Sequence, residues 1–468
     1  MGSIDLSAAR RAASSLGSTA APRAKRNPSG LAPGLSTAQG TIAWVMALLL
    51  MPVISLPLYS FFGSRRLHGY LKARRHGDHS LSFIGEEIQA ALCESRAEPT
   101  PLTQALIPLL RVPPTSGNAC RLLTTGPDTF ERIFTRISEA RHYICVQYYI
   151  LNDDHLGVEL ASYLCDKARE GLPVYLLYDE IGSHGISRSY LNRLKDAGVQ
   201  VSRFNPLQLR NRLQLNFRNH RKLVICDGQY AFVGGYNVDE AYVTGDSIRD
   251  THMEISGPAV LACQLAFTED WYWATQAVPD IQWQTPRKDG NCDVMTIPTG
   301  PADENESASL VFTHLIHKAR HRCWLVSPYF VPDQSLQVAL QLAALRGVDT
   351  RILIPEKNDN RLVQLAMASF IEPLSRCKVK FFSYRKSFLH QKVILIDDEW
   401  SYIGSSNLDS RSLRINFELG ALVQDKDLAC DVKAMLEKDF ANSVPTQVPS
   451  HWWQIFLSRL SRLLAPVL

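Results

Sequence analysis

One stretch, NHRKLVICDG at residues 219–228, decides the fold because the chain carries a second version of it, LHQKVILIDD at residues 389–398. Both versions follow the pattern His-x-Lys-x₄-Asp, with His220, Lys222 and Asp227 in the first and His390, Lys392 and Asp397 in the second. A single match to so short a pattern carries little weight. Two matches indicate a duplicated fold with a duplicated site.

Each version predicts a strand followed by a tight hairpin. Alternate residues of a strand share a face, so His220 and Lys222 are expected to project together. Asp227-Gly228 and Asp397-Asp398 then predict hairpin turns. We count both aspartates with the catalytic motif, but we expect each to bond nearby backbone groups first, as Asp does in turns.

A segment of small residues ending in Asn follows each hairpin: GGYN at residues 234–237 and GSSN at residues 404–407. Small residues allow a ligand to approach the backbone closely. Asn237 and Asn407 are therefore candidate ligand-binding side chains.

The repeat extends to the preceding segments, residues 146–179 and 326–355. Each reads as a buried strand, an amphipathic helix and a second strand. Asp153 or Asp154 caps the first helix, Asp333 or Ser335 caps the second, and Gly171 and Gly347 end them. This pattern predicts an α/β protein with two similar lobes, each a mostly parallel or mixed sheet flanked by helices, related by a pseudo-two-fold axis.

Joining two such lobes would collect two His, two Lys and two Asn around one phosphodiester. Lysines and amides can hold its oxygens without a metal or other cofactor. One neutral imidazole can attack phosphorus and form a phosphohistidine, while the other, as imidazolium, protonates the leaving alcohol. We therefore predict that Lys222, Lys392, Asn237 and Asn407 bind phosphate.

Each imidazole needs a partner that orients its second ring nitrogen. Two acids follow the motifs at similar distances, Glu254 in RDTHMEISG and Glu418 in RINFELG. Their spacing alone fits exposed or paired strand carboxylates as well as orienting groups.

The N-terminal region suggests a membrane anchor. Residues 1–40 are rich in Ser, Ala, Gly and Pro, which predicts a disordered basic leader. Residues 41–62 carry no charge and are long enough to cross a bilayer. We assign residues 41–63 to this anchor. The rest of the chain is divided into a basic then helical linker (64–115), a first lobe (116–300), a second lobe (301–448) and an amphipathic C-terminal helix (449–468). That last helix suits a membrane interface or packing on the body.

Charge and cysteine content narrow the function further. Residues 1–75 hold ten Lys or Arg and one acid, which leaves 40 basic and 45 acidic residues for the rest. A slightly acidic body argues against a nucleic-acid partner, whereas a basic N-terminal region suits an anionic membrane surface. The ten cysteines contain no CxxC pair, which is typical of reduced apolar residues and argues against a zinc site.

These motifs resemble the phospholipase D superfamily, and several segments resemble bacterial cardiolipin synthases: RNHRKLVICDG, SPYFVPD, LAALRGVDTRILIP, FLHQKVILIDDEW and GSSNLDSRSLRINFELG. The resemblance covers roughly residues 41–468. It implies a two-lobed α/β sandwich with one active site between the lobes and no cofactor. It also implies that His220 is the nucleophile, His390 the general acid and base, and Glu254 and Glu418 the orienting groups, reaching across the lobes.

The implied reaction joins two phosphatidylglycerols into cardiolipin and releases glycerol. The implied location is the bacterial inner membrane, and the basic residues after the apolar segment favour a body on the cytoplasmic side. Relatives of this type usually carry two hydrophobic N-terminal segments, whereas only one stands out here, so its topology stays open. A hydrolytic phospholipase, a nuclease and a non-catalytic lipid-binding scaffold are the alternatives.

Overall fold

The computed structural model describes residues 45–53, 55–56, 91–204, 217–245, 247–281, 283, 286–303, 305–447 and 451–462. The predicted leader (1–40) and the part of the predicted linker from residue 64 to residue 90 lie outside these described residues. The predicted membrane segment is described only in part, with helix at residues 45–50. No helix within the described residues is both long and apolar enough to cross a bilayer.

The first half of the body alternates strands and helices. Its elements are α1 (Thr103–Leu110), β1 (Thr115–Leu123), α2 (Gly126–Glu139), β2 (Ile144–Tyr148), α3 (His155–Arg169), β3 (Val174–Asp179), α4 (Arg188–Asp196), β4 (Gln200–Phe204), β5 (Leu223–Cys226), β6 (Tyr230–Gly234), a 3₁₀ turn (Glu240–Tyr242), β7 (Ile248–Arg249), β8 (His252–Ser256) and α5 (Ala259–Thr275).

The second half repeats this order. Its elements are β9 (Cys292–Thr299), α6 (Ser307–Lys318), β10 (Arg322–Val326), β11 (Phe330–Val331), α7 (Gln334–Leu345), β12 (Asp349–Pro355), α8 (Arg361–Arg376), β13 (Lys380–Tyr384), β14 (Phe388–Leu389), β15 (Val393–Ile396), β16 (Trp400–Gly404), β17 (Leu408–Asp409), α9 (Ser410–Arg414), β18 (Glu418–Gln424), α10 (Lys426–Ala441), β19 (Ser443–Pro445) and α11 (Trp452–Arg462).

The two halves share one continuous sheet. Its order is β19-β13-β12-β10-β15-β16-β18-β9-β1-β8-β6-β5-β2-β3-β4, in which β9 to β13 mirrors β1 to β4. The strands β2, β3 and β4 pair in parallel, as do β10, β12 and β13, and the other neighbours in the sheet are antiparallel. This confirms the mixed α/β fold and its internal symmetry.

The seam between the halves is the antiparallel pair of β1 and β9. By its place in the sheet β9 is the counterpart of β1, so it belongs to the second half, although the expected boundary at residue 300 puts it in the first. Helix α5 packs on β9, and α10 packs on β1. Each half therefore covers part of the other's sheet and fixes the two sets of motif residues relative to each other.

Local signals explain the repeated β-α-β units. The side chain of Asp154 accepts a hydrogen bond from the N–H of Gly157, and Asp333 does the same for Leu336, so each caps its helix. Gly171 and Gly347 follow the helix ends with φ of +93° and +92°, where a side chain would be strained. The sequence prediction of these helix limits is confirmed.

Both predicted hairpins are present. Strands β5 and β6 pair antiparallel, as do β15 and β16. The turn residues Asp227, Gly228 and Asp397 have φ of 56°, 64° and 55°. Left-handed backbone at these positions matches the right-handed twist of the flanking strands, which fixes the register of each motif strand.

Candidate active site

The first motif histidine is held by the second half of the chain. The Nδ1 atom of His220 lies 3.0 Å from Oε2 of Glu418 and 3.1 Å from the carbonyl oxygen of Ser405. Both partners are acceptors, so Nδ1 carries the proton. The Nε2 atom of His220 is left with a lone pair, which is the form that can attack phosphorus.

The second motif histidine is held by the first half. The Nδ1 atom of His390 lies 2.6 Å from Oδ2 of Asp250 and 3.2 Å from the hydroxyl of Tyr242. Asp250 also accepts a hydrogen bond of 2.8 Å from the N–H of Thr251. Although burial raises the pKa of Asp250, the charges of Lys392 and His390 hold it below its usual value. Asp250 is therefore an ionised partner for His390.

Backbone pairing positions both histidines in the same way. The N–H of His220 donates to the carbonyl of Phe417 at 2.9 Å, and the N–H of His390 donates to the carbonyl of Arg249 at 2.8 Å. In each case the next residue is the orienting carboxylate, Glu418 or Asp250. Each imidazole is thus fixed to the other half of the chain, and the charge of each motif lysine acts on the histidine of the other motif.

The motif lysines are buried beside the histidines. The Nζ atom of Lys222 donates to the carbonyl of His220 at 2.7 Å, and that of Lys392 donates to the carbonyl of His390. Lys392 Nζ also lies 2.8 Å from Nδ1 of His390 and 3.9 Å from Asp250. Each ammonium has further N–H groups that can point to a ligand.

The electrostatics of the cleft follow from burial and mutual repulsion. Burial lowers the pKa of Lys222 to about 7, assisted by the charge of Lys392, and burial lowers the pKa of Lys392 to about 8. Burial also lowers the pKa of both His220 and His390. An anion in the site would relieve this crowding of cations.

The two asparagines differ in their surroundings: Asn237 bonds to protein groups, whereas Asn407 has a carbonyl oxygen left unpaired by the described residues. Asn237 accepts from the N–H of Ile150 at 3.2 Å and donates to the Tyr242 hydroxyl at 3.0 Å. Asn407 is buried, and its Oδ1 atom has no hydrogen-bond partner among the described residues. Their predicted phosphate contacts stay a prediction.

Comparison with known proteins decides the family. The family model described as "Cardiolipin synthase, PLD-like domain" matches residues 133–271 and 312–441. Cardiolipin synthase A of Pseudomonas putida is 41% identical over 447 residues, which covers 92% of this chain and 93% of that protein. The chain belongs to the cardiolipin synthase family. Cardiolipin synthase A of Pseudomonas aeruginosa strain LESB58 is also 41% identical, over 448 residues, covering 92% and 91% of the two chains.

A solved structure supports the fold. The phosphatidylserine synthase of Haemophilus influenzae superimposes with a TM-score of 0.62 at 15% identity, covering 79% of this chain and 100% of that one. At that identity the similarity concerns the fold alone. It agrees with the phospholipase D-like architecture that the cardiolipin synthase family implies.

One of the two acids assigned from the sequence as orienting groups must be corrected. Glu254 lies in β8 and binds two arginines, Arg132 at 2.6 Å and Arg136 at 2.8 Å, so it is not the orienting group. Asp250, four residues earlier, takes that role. The repeat contained a signal for it: Asp250 follows His220 by 30 residues, close to the 28 between His390 and Glu418, whereas Glu254 follows by 34.

The motif aspartates lie away from the chemistry. The carboxylate of Asp227 accepts from the N–H groups of Arg141, His142 and Tyr143 at 2.7 to 3.0 Å. Asp397 accepts equivalent bonds of 2.7 to 3.2 Å from residues 320–322. Each lies at the far end of its strand from the motif histidine, roughly 20 Å away at the usual strand rise. Their place in the catalytic set is wrong, and the structural role is confirmed.

Sequence reasoning also missed Arg221, between the motif His and Lys. Its guanidinium bonds to Asp270 at 2.9 Å and to the carbonyls of Glu418 and Ala266 at 3.1 Å. Arg221 thus ties the motif to α5 and to the orienting strand of the other half. Gln391 stands at the same place in the second motif, so the repeat gave no signal for this role.

The lowered lysine pKa values predict opposite pH trends for activity and stability. As pH rises through about 7 to 8, the free enzyme loses both ammonium charges, so kcat/KM should fall. Between those values and about 10.4, the unfolded chain binds more protons than the folded one, so the free energy of unfolding should rise with pH. Activity and thermal melting across pH 6 to 10 test this; a kcat/KM that stays flat above pH 8 would contradict it.

Proposed function

We propose that this enzyme transfers a phosphatidyl group from one phosphatidylglycerol to another, forming cardiolipin and releasing glycerol. Membership of the cardiolipin synthase family makes it a phospholipase D-type phosphatidyltransferase. The single observation that carries the site assignment is the reciprocal pairing of His220 with Glu418 and of His390 with Asp250. It leaves two imidazole Nε2 atoms available to one phosphodiester between the halves.

The first step forms a covalent intermediate. Nε2 of His220 attacks phosphorus, while Lys222 and Lys392 hold the oxygens on which charge develops. His390 protonates the departing glycerol oxygen as the bond from phosphorus to that oxygen breaks. The carboxylate of Asp250 stabilises the imidazolium form of His390 that this step requires.

The second step reverses these roles. A hydroxyl of the acceptor phosphatidylglycerol gives its proton to His390 and forms a new bond to phosphorus. The bond between phosphorus and His220 breaks, which regenerates the neutral imidazole with its lone pair. The proton that His390 gives in the first step is returned to it in the second, and the phosphatidyl group passes from donor to acceptor. The residues of the chain therefore supply all the acid–base chemistry.

Product analysis tests this function. Purified enzyme given labelled phosphatidylglycerol in detergent should yield labelled cardiolipin and free glycerol in equal amounts. Phosphatidic acid as the main product would instead identify a hydrolytic phospholipase. A requirement for a second phospholipid class would revise the acceptor.

We also propose that the enzyme works at the bacterial inner membrane with its body on the cytoplasmic side. Helix α11 supports a membrane contact of the body. It packs on α8 through Ser458 and Ser461, which are buried, and through Arg462, whose guanidinium lies 4.7 Å from the ring centre of Phe370. Its apolar side chains face outward: Trp452, Trp453, Phe456, Leu457 and Leu460 are all exposed.

An exposed apolar helix face with arginines and no acid fits an anionic bilayer surface better than water. We therefore expect the triple variant Trp452→Ser, Trp453→Ser, Phe456→Ser to lose about tenfold in kcat/KM on phosphatidylglycerol bilayers. Its activity on a soluble short-chain phosphatidylglycerol should be unchanged. Leu345→Ser, which alters an exposed leucine of α7, is the control. An equal loss on both substrates would contradict the proposed surface.

A further inference from the structure

A second pair of cationic side chains, Arg218 and Arg411, lies beside the catalytic cleft. Arg218 precedes His220 by two residues, and Arg411 lies in α9. The carbonyl of Arg218 accepts from the N–H of Phe417 at 2.8 Å, and the carbonyl of Arg411 accepts from the N–H of Asn416 at 2.9 Å. Asn416 and Phe417 are consecutive, so one short backbone segment is hydrogen-bonded to Arg411 in its own half and to Arg218 in the other half.

The charges of both arginines act on Tyr149, whose ring contacts the nucleophile His220. The ring of Tyr149 meets the ring of His220 edge-on, with centroids 4.7 Å apart, and Lys222 Nζ lies 5.2 Å from the Tyr149 centroid. Burial raises the pKa of Tyr149, while the charges of Arg218 and Arg411 oppose that rise. The pair is therefore within electrostatic reach of the nucleophile's surroundings.

Arg218 is incompletely paired. Its Nη1 atom is buried and has no hydrogen-bond partner within the described part of the chain. The nearby carboxylate of Asp179 accepts bonds of 2.9 to 3.1 Å from the N–H groups of Ile181, Gly182 and Asn219. A buried guanidinium N–H without an acceptor is costly, so a phosphate oxygen placed here would remove that cost.

The pair breaks the symmetry of the repeat. The offset of 170 residues between the motif histidines puts Phe388 in the place of Arg218 and Ala241 in the place of Arg411. On the opposite wall Tyr329, the counterpart of Tyr149, donates to the carboxylate of Asp359 at 2.7 Å. The repeat thus has no arginine at the positions equivalent to Arg218 and Arg411, although each motif has its own His and Lys.

We propose that Arg218 and Arg411 form a second phosphate subsite, which binds the intact phosphodiester of the acceptor phospholipid. The inference rests on the proposed function, because joining two phosphatidylglycerols involves two phosphates and the lysines hold only the reacting one. The other phosphate stays a monoanion and is joined to the attacking hydroxyl by a single glycerol unit. Guanidinium groups bind such oxygens through paired, charge-assisted hydrogen bonds.

Competition between two acceptors tests the subsite. Labelled phosphatidylglycerol is supplied with molar ethanol, so one phosphohistidine partitions between cardiolipin and phosphatidylethanol in the same tube. Ethanol carries no phosphate and cannot use the subsite. Arg218→Gln should lower the ratio of cardiolipin to phosphatidylethanol by about tenfold or more, with phosphatidylethanol formation within about twofold of the parent enzyme.

Further variants separate the subsite from general damage. Arg411→Gln should lower the same ratio, Arg218→Lys should restore part of it, and Arg385→Gln, which alters an exposed arginine paired with Glu356, should not change it. An equal loss of both products in Arg218→Gln and Arg411→Gln would overturn the subsite. Phosphatidylethanol without any cardiolipin from the parent enzyme would instead refute the proposed function, and the subsite with it.

Discussion

His220→Ala should abolish phosphatidyl transfer, lowering kcat by about 10⁴-fold or more. The reason is that the variant has no imidazole on the wall held by Glu418, so no covalent intermediate can form there. His390 cannot substitute, because the same step needs it as the acid that protonates the leaving glycerol. The measurement is cardiolipin formation by purified protein in detergent with saturating phosphatidylglycerol.

The control for this variant is His142→Ala. His142 is exposed at the hairpin end of the strand, where its backbone N–H bonds to Asp227. It should retain full activity. Normal turnover by His220→Ala would show that another group attacks phosphorus.

Asp250→Asn should lower kcat by about 10³ to 10⁴-fold while leaving KM and thermal stability close to those of the parent enzyme. The amide is nearly the same size, but it can neither fix the proton on Nδ1 of His390 nor stabilise the imidazolium. The loss should therefore fall on the steps in which His390 gives and takes a proton. Steady-state kinetics, with circular dichroism melting as the fold check, measure both.

Glu254→Gln is the matched comparison, because it also replaces a carboxylate by an amide, at a position four residues from Asp250. Glu254 binds Arg132 and Arg136, so its amide variant should lose stability and keep kcat. The reverse result, with an active Asp250→Asn and an inactive Glu254→Gln, would restore the assignment that spacing alone suggested.

The local structure could be predicted from the sequence because its signals are local. Asp154 and Gly171 mark the limits of one helix by their capping chemistry, and Asp227-Gly228 marks a hairpin by its left-handed backbone. The duplicated motif also predicted a repeated fold, which the mirrored strand order confirms. These features depend on residues that are neighbours in the chain.

The cross-lobe partners could not be predicted in the same way. Which acid meets His390 depends on the pairing of β14 with β7, which places Leu389 beside Arg249 and so brings Asp250 to the imidazole. No periodicity within either segment encodes that pairing. The repeat offset held a weak signal, since Asp250 and Glu418 follow their motifs at similar distances, but Glu254 matches the residue type of Glu418 and so misled the prediction.

The charge state of the lysines is also a property of the assembled fold. In the sequence, Lys222 and Lys392 are ordinary cations 170 residues apart. Folding buries both, and burial lowers the pKa of each; the charge of Lys392 lowers the pKa of Lys222 further. These lowered pKa values therefore arise from the joining of the two halves.

The most direct test of the account is to trap the covalent intermediate. Enzyme mixed briefly with phosphatidylglycerol labelled in the phosphate is quenched in base, digested and analysed by mass spectrometry. The account predicts an adduct with an acid-labile, base-stable phosphorus–nitrogen bond on the peptide that contains His220, either phosphatidyl or its deacylated glycerophosphoryl form, and absent from His220→Ala. An adduct on His390, or full transfer activity with no adduct on any histidine, would contradict it.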